Sequence, residues 1–122
     1  MSVTNKELMD ILSRYESVDT AVIRKNLNLL FGAHYKFKNQ TGSKSTAILA
    51  GITHSTQNTV MAWRNSGRSA RIPLMKLLQI ADAFDVSFEC FLSDDSTWIE
   101  DEATREMISE RIKEMEDVYG ND

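Results

Sequence analysis

Gln57 and Asn58 stand side by side behind Thr56, a residue type that caps helices well. A carboxamide on an exposed helix can make two hydrogen bonds to the edge of adenine, each good pair worth about 1–3 kcal/mol in discriminating one base from another. Both residues lie within residues 20–81, which hold no carboxylate at all. That stretch carries nine bases: Arg24, Lys25, Lys36, Lys38, Lys44, Arg64, Arg68, Arg71 and Lys76. A long acid-free run of this kind is the electrostatic footprint expected of a surface that binds a polyanion. The flanks have the opposite sign: residues 1–19 carry a net −2, residues 82–93 a net −3 and residues 94–122 a net −8, leaving the whole chain at −4.

Other chemistries are poorly supported. His34 and His54 are far apart, with no cysteine or glutamate at ligand spacing, so no metal site and no cofactor is expected. Cys90 is the sole cysteine and sits among Phe88, Phe91 and Leu92, where it reads as a small apolar residue. A single cysteine permits no internal disulfide and suits a reducing cytoplasm. The basic stretch shows no carboxylate pair or nucleophile constellation, so an enzyme is not expected. The longest apolar run, Ala47 to Ile52, is six residues, far short of a membrane span. The N-terminus lacks a basic-then-apolar export signal. A cytoplasmic location without membrane contact is the expectation.

The chain reads as all-α. Thr4 and Glu7 form a capping box, followed by Leu8, Ile11, Leu12 and Tyr15 on one helical face. A second helix follows Asp19 or Thr20, with Val22, Ile23, Leu27, Leu30 and Phe31 inward and Arg24, Lys25, Asn26 and Asn28 on its wet side. Lys36 to Ser43 reads as a loop, and a third helix runs from about Lys44 to Thr53. Thr56 caps a fourth helix whose inner face needs Val60 and Trp63, and Asn65 to Arg68 stops it. Pro73 starts a fifth, with Leu74, Leu77, Leu78, Ala81 and Phe84 buried. Ser87 caps a short helix carrying Phe88, Phe91 and Leu92. Beyond Asp94 to Thr97, a hinge or a helix start, Ile108, Ile112, Met115 and Tyr119 recur at 4-3-4 spacing on an acidic helix.

Two short helices joined by a tight turn, then a loop and a further apolar helix, is the layout of a helix-turn-helix domain. Over about residues 20–93 the sequence resembles the phage-repressor class, the Cro/CI/Xre-like family. The resemblance rests on Leu49-Ala50 in the first helix of the motif and on Thr59-Val60 and Trp63 in the second. Ile72-Pro73-Leu74 and the run Leu77 to Ser87 add the more specific signal of two closing helices. It implies a lambda-repressor-like helix-turn-helix bundle as the DNA-binding domain (20–93), to which the chain adds an N-terminal helix (1–19) expected to pack on the core and an acidic C-terminal helix (94–122) expected to serve oligomerisation. The ungapped register puts the sharp turn on His54, where the family usually has glycine. A second register puts Gly51 there and needs about three inserted residues; the ungapped one is preferred. Both turn Val60 and Trp63 inward.

The resemblance then implies base contacts from Thr56, Gln57, Asn58, Met61, Ala62 and Asn65. It implies phosphate contacts from Ser43, Lys44 and Ser45 at a helix N-terminus, and from Arg64, Arg68 and Arg71. A sequence-specific regulator of phage or prophage type, a repressor, is the expected function, binding double-stranded DNA at a palindromic operator. Trp98, Ile99, Met107, Ile108, Ile112, Met115 and Tyr119 offer a stripe for a homodimer or higher oligomer, or else pack on their own domain. The acidic tail could also dock on the basic face and inhibit it. An antirepressor or other regulatory protein is a further candidate partner. The rival reading is an interaction module, antitoxin-like or adaptor-like, whose C-terminal helix binds a protein.

Overall fold

The computed structural model of the chain describes residues 4–32, 43–65 and 70–119. Those residues form helices joined by short turns, with no strand among them: α1 (Asn5–Ser17), α2 (Thr20–Gly32), α3 (Ser43–Thr53), α4 (Gln57–Arg64), α5 (Leu74–Phe84) and α6 (Glu102–Tyr119). Two 3-10 turns, Phe88–Leu92 and Thr97–Ile99, join α5 to α6.

Local chemistry sets the starts. The Thr4 hydroxyl accepts from the Glu7 N–H at 3.1 Å, the Thr56 hydroxyl from the Thr59 N–H at 3.1 Å, and the Ser87 hydroxyl from the Glu89 N–H at 3.3 Å. Each satisfies an N–H that a helix leaves without an internal partner. Pro73 stands at the N-cap of α5, one place ahead of the first helical position expected for it. Asp85 ends α5 in the left-handed conformation, φ 55°, a region a short polar side chain tolerates.

One core joins the elements. Ile23, Leu27, Leu30 and Phe31 of α2, Ile48 and Leu49 of α3, Val60 of α4 and Leu77, Ile80 and Phe84 of α5 are all fully buried. Phe31 meets Phe84 edge to face with ring centres 5.7 Å apart. Asn26, expected on the wet side of α2, is also fully buried. Its amide donates to the carbonyls of Phe91 and Ser93 and its oxygen accepts from Trp98 Nε1 at 3.1 Å. A buried amide with its partners met is tolerated, and this one ties α2 to the 3-10 segments.

Two expectations about the ends change. α1 buries no residue; Leu8, Met9 and Leu12 are 47%, 69% and 38% exposed. Only its last turn is anchored, where the Tyr15 hydroxyl donates to the Ile72 carbonyl and Arg14 pairs with Glu89 at 2.6 Å. At the other end, Ile108 and Ile112 are not an outward stripe. Both are fully buried in the same core, where α6 packs across α2, α3 and α5. Met115 is half-buried against it. The 4-3-4 spacing fits a partner helix and the chain's own core equally well, and α3 and α5 supply the apolar faces that claim it.

Tyr119 closes the packing. A Cβ placed on Gly51 would overlap the Tyr119 ring, so glycine lets the last turn of α6 lie against α3. Gly51→Ala is expected to displace that turn. In a Tyr119→Ala background the same change should instead stabilise by up to about 1 kcal/mol, the helix propensity of alanine over glycine. Thermal unfolding of the two singles and the double checks this; equal effects in both backgrounds would contradict the contact.

Candidate nucleic-acid interface

The turn between α3 and α4 falls on His54, at φ 54°. Gly51 lies inside α3. The ungapped register is therefore the one adopted. Ser55 N–H closes the turn on the Ala50 carbonyl at 3.0 Å, and the buried Thr53 hydroxyl donates to the Leu49 carbonyl at 2.7 Å. Histidine is among the few non-glycine residues enriched in this left-handed region, which explains how the turn forms without glycine.

Val60 is fully buried and Trp63 is 3% exposed, which fixes the rotation of α4 about its axis. Gln57, Asn58, Met61 and Asn65 are exposed in consequence. At the helical repeat these four positions share one side, so a single surface carries three carboxamides and a thioether. Thr56 is exposed too, but its hydroxyl is engaged as the cap. Ala62 is half-buried at the margin. Thr59, named in the sequence only as a match to the motif and not as a contact residue, is exposed as well, with its hydroxyl 2.9 Å from that of Thr56.

The expected phosphate contacts divide. Lys44 is exposed in the first turn of α3, and Ser43 opens that helix. Ser45, however, is fully buried and Arg64 is 5% exposed. Arg64 Nη1 donates to Ser45 Oγ at 2.6 Å and to Thr46 Oγ1 at 3.3 Å, and Nε donates to Asn28 Oδ1 at 2.8 Å. Its guanidinium lies over the Phe31 ring at 5.2 Å. Burial lowers its pKa to about 10. Arg71 stacks over Tyr15 at 4.4 Å and donates to the carbonyls of Tyr15 and Val18 and to the Thr20 hydroxyl. Ser45, Arg64 and Arg71 are thus corrected from surface contacts to internal ones. Arg68 lies outside the described residues, as do Lys36, Lys38 and His34.

For Arg71 the cause is one that other cations share. A helix C-terminus leaves carbonyls without internal donors and carries partial negative charge, and cations suit it. Arg24 Nε donates to the Trp63 carbonyl at 3.1 Å, at the end of α4. Lys76 Nζ donates to the Thr53 carbonyl at 2.6 Å, at the end of α3. Arg71 serves the end of α1, and Lys25 donates to the Asp94 carbonyl at 2.8 Å. Arg24, Arg71 and Lys76 of the acid-free run therefore hold helix ends in place. Its charge still acts outward, since partial charges neutralise a cation only in part and the field carries about a Debye length, ~8 Å in physiological salt.

Among the described residues no group of histidine, cysteine and carboxylate side chains is placed to hold a metal ion. Cys90 is half-buried, and burial pushes its thiol above the usual range, away from the thiolate a nucleophile needs. No described helix is long and apolar enough to cross a membrane. In comparison with known proteins, no family model, no curated protein and no solved structure matches the chain.

Proposed function

We propose that the chain is a sequence-specific DNA-binding transcriptional regulator with a lambda-repressor-like helix-turn-helix, a repressor of phage or prophage type working in the cytoplasm. The observation that carries the reading is the surface of α4. Val60 and Trp63 hold its inner side in the core, and Gln57, Asn58, Met61 and Asn65 face outward together. That surface matches the donor and acceptor pattern of adenine and the methyl group of thymine in a major groove. Lys44 beside the start of α3 supplies a phosphate contact that sets register. Repression is inferred from the family resemblance alone.

Two copies on a two-fold axis are part of the reading, since one such domain spans only a few base pairs. Their contact surface must differ from Ile108 and Ile112, which the core of each copy already uses. Gel shift of the intact chain against DNA upstream of its own gene tests the proposal. Retarded complexes that resist nonspecific competitor and weaken with salt are expected. The slope should be shallower than the fall of roughly five decades per decade of salt that about six engaged cations would give. Binding no tighter than to unrelated duplex would contradict it.

The protein-interaction reading is favoured by a different surface from the one the sequence suggested. Leu8, Met9 and Leu12 make an exposed apolar patch on α1. Capture of a specific protein that Leu8→Ser and Met9→Ser abolish, with no promoter binding by the intact chain, would favour that reading.

A further inference from the structure

α1 forms with little support from its own chain. None of its 13 residues is buried, and its last turn alone is anchored, through Tyr15 and Arg14. An isolated helix shorter than about 12–15 residues is marginal in water, and packing of an apolar face normally holds it. α1 has such a face. Leu8 and Leu12 lie one turn apart with Met9 beside them, and all three are exposed. Ile11 and Tyr15, on the adjoining side, are half-buried, so the domain takes part of the apolar surface and leaves this stripe uncovered. Charge marks its two ends. At the helical repeat Lys6, Met9 and Glu16 share one border of the stripe, Lys6 near the start of α1 and Glu16 near its end. Both charged residues are exposed, and neither makes an ion pair among the described residues. Arg14, by contrast, is already paired with Asp10 and Glu89.

We propose that this stripe binds the same stripe on a second copy of the chain, the two α1 helices running antiparallel about a two-fold axis near Asp10. A two-fold contact uses one surface twice, so that surface must complement itself. This one does. The pairing sets Leu8 of each copy against Leu12 of the other, as core positions meet in an antiparallel coiled coil. It brings Lys6 of each copy to within about 3 Å of Glu16 of the other along the axis, two residues of helical rise. A parallel pair would instead put Lys6 level with Lys6 and Glu16 level with Glu16, and would align the two helix dipoles. The contact is small, and pairs burying less than about 1,200 Å² are characteristically weak, so dissociation at roughly tens of micromolar is expected. The second copy that the DNA-binding reading calls for thereby gains a surface, but the contact rests on α1 and not on that reading.

Sedimentation equilibrium of the intact chain, from about 5 to 500 μM and without DNA, decides the matter. The mass should rise reversibly from that of one chain toward that of two. Leu8→Ser and Leu12→Ser should each weaken the dimer at least about ten-fold, one decade in dissociation constant. Neither side chain enters the core, so both variants should stay folded by circular dichroism. Charge reversal then tests the direction of pairing. Lys6→Glu and Glu16→Lys should each weaken the dimer several-fold, and the two together should restore it, because each copy again offers opposite charges to the other. A single-chain mass at every concentration, a dimer indifferent to Leu8→Ser, or a double reversal weaker than either single change would overturn the proposal. A chain that stays monomeric yet captures a different protein through Leu8 and Met9 would overturn it too, and would assign the stripe to that protein. A dimer formed by a chain that ignores promoter DNA would uphold the contact and count against the DNA-binding reading alone.

Discussion

Ile108→Ala should lower the unfolding free energy by about 2–5 kcal/mol, and the loss should not depend on protein concentration. The side chain is fully buried within its own chain, in one cluster with Ile48, Leu49, Leu77 and Ile80. Removing it leaves a cavity that packed neighbours fill only in part. Set against the roughly 5–15 kcal/mol that holds a small domain folded, the change is severe. Ile112→Ala should behave alike, for Ile112 is equally buried. Urea unfolding at two protein concentrations a decade or so apart separates core from interface. An interface isoleucine makes the midpoint move with concentration, by mass action. Such a movement, abolished by Ile108→Ala, would contradict the packing described above. Deleting residues 97–122 takes Ile99, Ile108 and Ile112 from the core together, so that truncation should unfold the chain rather than report on inhibition by the tail.

Gln57→Ala and Asn58→Ala should each weaken binding to the preferred DNA site by about 1–3 kcal/mol per half-site, while binding to unrelated duplex changes little. Neither residue contributes to the core, so the unfolding free energy should stay within about 0.5 kcal/mol of the parent chain. Affinity lost without stability is the signature of a reading surface. Val60→Ala offers the contrast: Val60 is fully buried, and its loss should reduce stability and binding together. Titrations by fluorescence anisotropy, paired with urea unfolding, check both. Equal loss on specific and unrelated DNA would mean that Gln57 and Asn58 contact the backbone or nothing at all.

What the sequence made legible was local. Thr4, Thr56 and Ser87 could be placed as caps because each acts on an N–H two or three residues away. Val60 and Trp63 could be turned inward because one helical turn separates them. The cations could not be placed. Arg71 reaches the Val18 carbonyl across 53 residues and Arg24 the Trp63 carbonyl across 39. A helix C-terminus recruits whatever donor the tertiary fold brings near, and no spacing rule announces it. A run of bases without acids looks the same whether it faces a polyanion or the ends of its own helices. Asn26 failed for a related reason: its amide donates to two backbone carbonyls, which every residue type has, and its oxygen accepts from Trp98, 72 residues away.

Selection of bound duplexes from a randomised DNA pool asks whether the exposed side of α4 reads base sequence. With the intact chain, enrichment of one two-fold-symmetric motif is expected, and Gln57→Ala and Asn58→Ala should each relax the choice of base at specific adenine-bearing positions of both half-sites. A pool that stays unenriched, with circular dichroism showing the helices intact, or a motif identical for all three proteins, would contradict that reading.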